Sequence, residues 1–174
     1  TADDSGAVLL YRSGDGLKWE FVRTLDRCHN QYGKMWECPD FFPLDGKQVL
    51  MTSPQEMNPV GLEFHAGNGT VCLIGDYEPE GKGFLRQYVQ AIDYGLDFYA
   101  PQTLLAPDGR RVMVAWMQNW GTVGAKPYHC RWFGQMTLPR ELAVKSGRLY
   151  QNPVRELENY RSCCVMHSNI PVSG

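Results

Sequence analysis

Short runs of apolar residues alternate along this chain with joints marked by glycine, proline and Asp-Gly pairs, and no stretch carries a sustained helical stripe. The pattern predicts strands at Ala7–Arg12, Trp19–Leu25, Cys38–Leu44, Gln48–Thr52, Leu62–His65, Thr70–Asp76 and Leu85–Ile92. It predicts others at Phe98–Leu105, Arg111–Met117, Trp132–Leu138, Leu142–Lys145 and Arg148–Gln151. The run Val112–Met117 is almost wholly apolar, which predicts a central strand covered on both faces. Asp15-Gly16, Asp45-Gly46 and Asp108-Gly109 each lie between two strand candidates, where tight hairpins need residues that tolerate positive φ. Gly67-Asn68-Gly69 and Ser146-Gly147 are similar joints. The longer joints are Asp26–Trp36, Tyr77–Phe84 and Gln118–Arg131. Glu156–Arg161 can form at most a turn or a short helix. An all-β meander of this kind builds either a propeller or a sandwich.

Composition narrows the function. Of 174 residues 43% are apolar, enough for a core, and the net charge of −2 supplies no basic face for nucleic acid and no polybasic membrane site. No run approaches a membrane span, and Thr1-Ala2-Asp3-Asp4 has none of the features of a signal peptide. Cys28, Cys38, Cys72, Cys130, Cys163 and Cys164 fit no dense disulfide framework, and the adjacent Cys163-Cys164 has no CxxC partner. Free thiols and a reducing, cytoplasmic compartment are therefore expected. His29, His65, His129 and His167 show no metal-ligand spacing, and no Walker, GxSxG or GxGxxG motif is present, so no metal or cofactor is expected.

The chemistry concentrates in Trp36-Glu37-Cys38-Pro39-Asp40-Phe41-Phe42. Two carboxylates stand there among apolar neighbours, where loss of water disfavours the charged form. Glu37 is the first candidate for a proton donor, with Trp36, Pro39, Phe41 and Phe42 able to exclude water around it. The same residues also fit an ordinary strand edge bearing a surface acid. Asp40 can anchor backbone donors. A second candidate region is Asp97-Phe98-Tyr99-Ala100-Pro101-Gln102, preceded by Asp93. Its acids and rings suit a sugar-binding rim, since sugars offer C–H faces to aromatic rings and hydroxyls to carboxylates; an Asx-turn leading into a packed strand explains them equally. Trp116 reads as core, whereas Trp120, after Gln118 and Asn119, is placed for stacking on a ligand. Arg140-Glu141 reads as an ion pair locking a strand end. Arg86, Lys126 and Arg131 read as surface charges rather than phosphate ligands.

These blocks resemble glycoside hydrolase family 32, the invertase and sucrose-6-phosphate hydrolase group. Trp36–Phe42 is similar to that family's WECPDFF block, and Gly95–Thr103 to its GxDFYAPQT block. Gly134–Leu142 is similar to its late GxMTLPREL block. Ala115-Trp116-Met117 with Trp120, and the opening Leu9–Trp19, fit the segments between and before them. The resemblance covers about residues 7–157. It implies part of a five-bladed β-propeller, about three blades' worth of strands, over residues 1–157, with 158–174 a linker or the start of a β-sandwich. It implies retaining hydrolysis of terminal β-D-fructofuranosyl groups from sucrose, sucrose 6-phosphate or fructo-oligosaccharides. Glu37 matches the family's acid/base; Trp36, Cys38, Asp97, Tyr99 and Trp120 match substrate-binding positions.

The family's nucleophile block, W-x-N-D-P-N-G, and its R-D-P block have no counterpart here, and Asp3 and Asp4 lack the surrounding motif. A retaining mechanism needs a second carboxyl group about 5–5.5 Å from the first. The expectation is a fragment of a fructosidase, inactive by itself, whose partner is the remainder of the propeller, supplied as another chain. The alternative is a non-catalytic carbohydrate-binding β-domain or remnant.

Overall fold

A computed structural model describes residues 5–95, 97–118, 120, 131–132 and 134–171. Leu96, Asn119, Lys126, His129, Cys130 and most of the joint Gln118–Arg131 lie outside the described residues, as do Asp3 and Asp4. The strands are β1 (Ala7–Arg12), β2 (Glu20–Arg27), β3 (Met35–Leu44), β4 (Lys47–Gln55), β5 (Val71–Glu78) and β6 (Gly83–Ala91). They continue with β7 (Tyr99–Leu105), β8 (Arg111–Trp116), β9 (Arg140–Lys145) and β10 (Arg148–Pro153), followed by a 3-10 helix over Arg155–Tyr160. All pairings are antiparallel. They form a two-stranded sheet β1-β2 and two four-stranded meanders, β3-β4-β5-β6 and β7-β8-β9-β10. The chain is all-β, as its pattern predicts.

Turn chemistry sets the registers. Asp45 and Gly46 adopt φ of 49° and 76°, and Ser146 and Gly147 adopt 50° and 74°. Both pairs make the two-residue turn whose twist suits a hairpin. Asp15 caps its own turn by accepting from the Leu17 and Lys18 N–H groups, each at 2.8 Å.

The three sheets stack face to face, in the manner of successive propeller blades. Val49, Met51, Cys72 and Ile74 of the middle sheet meet Met113, Ala115, Leu142 and Val144 of the β7–β10 sheet. Leu50 and Leu73, on the opposite face, meet Val8, Leu25, Cys28 and Trp36. Strands β4 and β5 are thus the ones buried on both sides. The predicted doubly covered strand Val112–Met117 is corrected accordingly. β8 is central within its sheet, yet only Met113 and Ala115 are fully buried, because described elements cover one of its faces.

Two predicted strands do not form among the described residues. Leu62–His65 is a loop tip closed by the isolated bridges Val60–Phe64 and Met57–Gly67, with Leu62 fully exposed and Phe64 anchored in a small core cluster. Trp132–Leu138 reduces to one bridge, Met136 to Trp116. Both have apolar character without a partner strand along their length. The predicted Arg140–Glu141 pair is also corrected. Adjacent strand residues point to opposite faces; Arg140 pairs with Asp93, while Glu141 joins Arg110 and Arg155. Arg86 lies on strand β6 and pairs with Asp26. Among the described residues no helix is long and apolar enough to cross a membrane.

Candidate active site

The inner strands β3 and β7 break register at the same local motif. In β3 the pairing with β4 skips between Glu37 and Asp40; in β7 the pairing with β8 skips between Tyr99 and Gln102. Each bulge contains a non-glycine residue at positive φ, Cys38 at 48° and Ala100 at 49°, followed by a proline. Proline has no ladder N–H to lose there, and a bulge re-aims the side chain beside it. The re-aimed side chains are Glu37 and Tyr99, and they meet: the Tyr99 hydroxyl donates to Glu37 Oε2 at 2.9 Å.

Two further donors converge on the same oxygen. Gln55 Nε2 lies 2.7 Å from Glu37 Oε2, and Trp120 Nε1 lies 3.3 Å from it. Trp120 is exposed and stands edge-on to Trp116, with ring centroids 5.7 Å apart. Glu37 itself is half-buried, and every hydrogen bond described at its carboxylate reaches Oε2. Burial, and then the hydrogen bond to Glu37, push the Tyr99 hydroxyl above its ordinary range, so it remains a donor at any working pH. Desolvation, and then the Glu37 charge, likewise push the Cys38 thiol up, which keeps it from acting as a thiolate.

The bonds between the sheets hold this geometry. Asp40 accepts from Thr103 N at 2.8 Å and from Thr103 Oγ1 at 2.6 Å, and lies 3.5 Å from Arg111. Arg111 stacks over the Phe42 ring at 4.0 Å. Ser53, fully buried, accepts from Ala100 N at 3.0 Å through its hydroxyl. Asp40 thus anchors one backbone donor and one side-chain hydroxyl, both of Thr103, and ties β7 to β3.

The predicted site residues divide by placement. Glu37, Tyr99 and Trp120 come together. Cys38 is exposed at the bulge, and its carbonyl accepts from Gln102 at 3.4 Å. Asp97 is exposed two residues before Tyr99. Trp36 points the other way: it is buried between the first two sheets, and its indole N–H donates to the Tyr32 carbonyl at 2.7 Å. The apolar wall expected around Glu37 is in fact largely polar on its inner side, because Trp36 and Phe41 pack toward the β1-β2 sheet and Phe42 toward β7–β10. Gln55 was not legible as a site residue. The signal lay in register: the Asp45-Gly46 turn pairs Leu44 with Lys47, and counting back along the hairpin with the one-residue shift at Cys38-Pro39 brings Ser53-Pro54-Gln55 opposite Met35-Trp36-Glu37. Among the described residues no group of three or more His, Cys, Asp or Glu side chains is arranged to hold a metal.

This arrangement can hold and release one proton. Comparison with known proteins places it in context. Residues 1–153 match the N-terminal domain of glycosyl hydrolases family 32. Raffinose invertase of Escherichia coli is 42% identical over 99% of this chain and 36% of its own length. Sucrose-6-phosphate hydrolase of Escherichia coli is 39% identical over 91% of this chain and 33% of its own. Among solved structures, a family 32 β-fructofuranosidase mutant of Bombyx mori in complex with sucrose superposes with a TM-score of 0.84. It is 37% identical, over 94% of this chain and 35% of that one. The chain therefore spans about a third of the length of the curated relatives it matches.

Proposed function

This chain belongs to glycosyl hydrolase family 32, and from that premise we propose that it forms the acid/base wall of a retaining β-fructofuranosidase. The observation that carries the proposal is the half-buried Glu37, with Oε2 held by three described donors from three separate elements. In the first step a carboxylate from the remainder of the protein attacks the anomeric carbon of the fructosyl unit. Glu37 protonates the departing oxygen as the bond breaks. In the second step Glu37 removes a proton from water, which releases fructose and restores the attacking carboxylate.

The described groups bonded to Glu37 are an amide, a phenol and an indole, and the reading assigns the attacking carboxylate to the remainder of the protein. Blade completion supports the same conclusion. The β1-β2 sheet has two strands where its neighbours have four, and it exposes Tyr11, Trp19 and Phe21. The partner is thus the rest of the propeller, and sucrose turnover by the 174-residue chain alone would contradict this. The substrate is a sucrose-type saccharide with a terminal fructosyl group. The names of the relatives support raffinose and sucrose 6-phosphate, and the sucrose complex among the solved structures supports free sucrose. Free thiols at Cys28, Cys38, Cys72, Cys163 and Cys164 support a reducing compartment.

The test is Glu37→Gln in the full-length enzyme. Sucrose turnover should fall by at least about a hundredfold, the usual share of general acid catalysis. Wild-type turnover in that variant refutes the assignment.

A further inference from the structure

We propose that Gln55 is a positioning residue that fixes which oxygen of Glu37 carries the catalytic proton. Gln55 makes the shortest bond to the carboxylate, 2.7 Å to Oε2, and it ends strand β4 directly beside the β3 bulge. An amide N–H cannot change role with pH; it donates at all times. Oε2 also faces the Trp120 indole N–H, another permanent donor. A hydrogen on Oε2 would be directed at these donors, so the proton belongs on the other oxygen, Oε1.

Tyr99 supplies the adjustable part. Its single hydroxyl hydrogen has two acceptors in reach, Glu37 Oε2 at 2.9 Å and the Ser53 carbonyl at 3.1 Å. While Oε1 bears its proton, the hydroxyl can serve Ser53. Once the proton has gone to the leaving oxygen, the hydroxyl turns to Oε2 and joins Gln55 in holding the carboxylate charge. Gln55 thus sets the proton's position, and Tyr99 answers its departure. Neither is consumed, and the proton is returned to Oε1 by the water that attacks in the second step.

The inference rests on Glu37 being the acid/base group, and the experiment separates the two. In the full-length enzyme, Gln55→Met keeps the side chain's length and removes the donor. Loss of a donor to the ionised carboxylate disfavours that form, so the alkaline limb of the kcat profile for sucrose should move up by about one pH unit. At the optimum kcat should fall about tenfold with KM within about twofold, since the lost bond acts on the proton and not on sugar binding. Gln55→Glu, which matches the native side chain in shape, should move the limb in the same direction. An unmoved limb in either variant overturns the positioning role, provided that Glu37→Gln has lost sucrose turnover. If Glu37→Gln keeps full turnover, both ideas fall together.

Discussion

Replacing Asp40 by alanine should lower the unfolding free energy by about 4 kcal/mol, because this one carboxylate bonds to Thr103 twice and faces Arg111 across two blades. Its Oδ2 takes two short bonds from Thr103, at 2.8 and 2.6 Å, and its Oδ1 faces Arg111 at 3.5 Å. The Asp40 and Arg111 side chains are only 14% and 16% exposed, so water cannot replace the lost partner cheaply. Hydrogen bonds to a charged group are worth about 1.5–3 kcal/mol each. Arg111 keeps its contact with the Phe42 ring and its bond to Thr103 Oγ1, which limits the loss. Asp40→Asn keeps an acceptor for the Thr103 N–H and removes only the charge, so it should cost about 2 kcal/mol. Urea unfolding checks both. With a slope of about 2 kcal/mol per molar, the alanine variant should unfold about 2 M earlier and the asparagine variant about 1 M earlier. An alanine variant within about 1 kcal/mol of the wild type would refute the view that Asp40 holds the blades in register.

The remaining predictions concern the bulge and the outer charge network. Ala100→Gly should leave stability within about 1 kcal/mol, since relief of positive φ offsets the added chain entropy. Ala100→Val, a β-branched residue in the same conformation, should cost at least about 2 kcal/mol by thermal unfolding. The hydrogen bonds from Arg155, and then the Arg110 guanidinium, hold the Glu141 carboxyl at about 2, below its ordinary 4.5. A carboxyl depressed by folding contributes stability that is complete above the unfolded value and lost as pH falls through the folded one. The stability gap between the wild type and Glu141→Gln should therefore be constant at neutral pH and shrink between about 4.5 and 2, which urea midpoints across that range will show.

Much of the fold was legible because its signals are local. Asp45-Gly46 and Ser146-Gly147 fixed two hairpins, and the apolar alternation around them gave their strands. Leu62–His65 failed because apolar content marks burial of Phe64 and not pairing, which depends on a distant partner. At the site, Glu37 and Trp120 were legible from chemistry and Tyr99 from its motif. Gln55 was hidden because its meaning comes from register, and the register contains a one-residue shift at Cys38-Pro39. The likeness between Glu37-Cys38-Pro39-Asp40 and Tyr99-Ala100-Pro101-Gln102 was equally hidden. Only Pro is shared, while the common feature is a backbone conformation. Trp36 shows the converse: it adjoins the acid in sequence and faces the opposite side of the sheet.

The most direct measurement of Glu37's role compares two leaving groups in the full-length Glu37→Gln enzyme. Sucrose departs as a sugar alkoxide and needs a proton; 4-nitrophenyl β-D-fructofuranoside departs as a stable phenolate and does not. Turnover should fall by about 10²–10⁴ on sucrose and by no more than about tenfold on the aryl fructoside. Equal losses on both substrates, or none on sucrose, would show that the proton comes from another group.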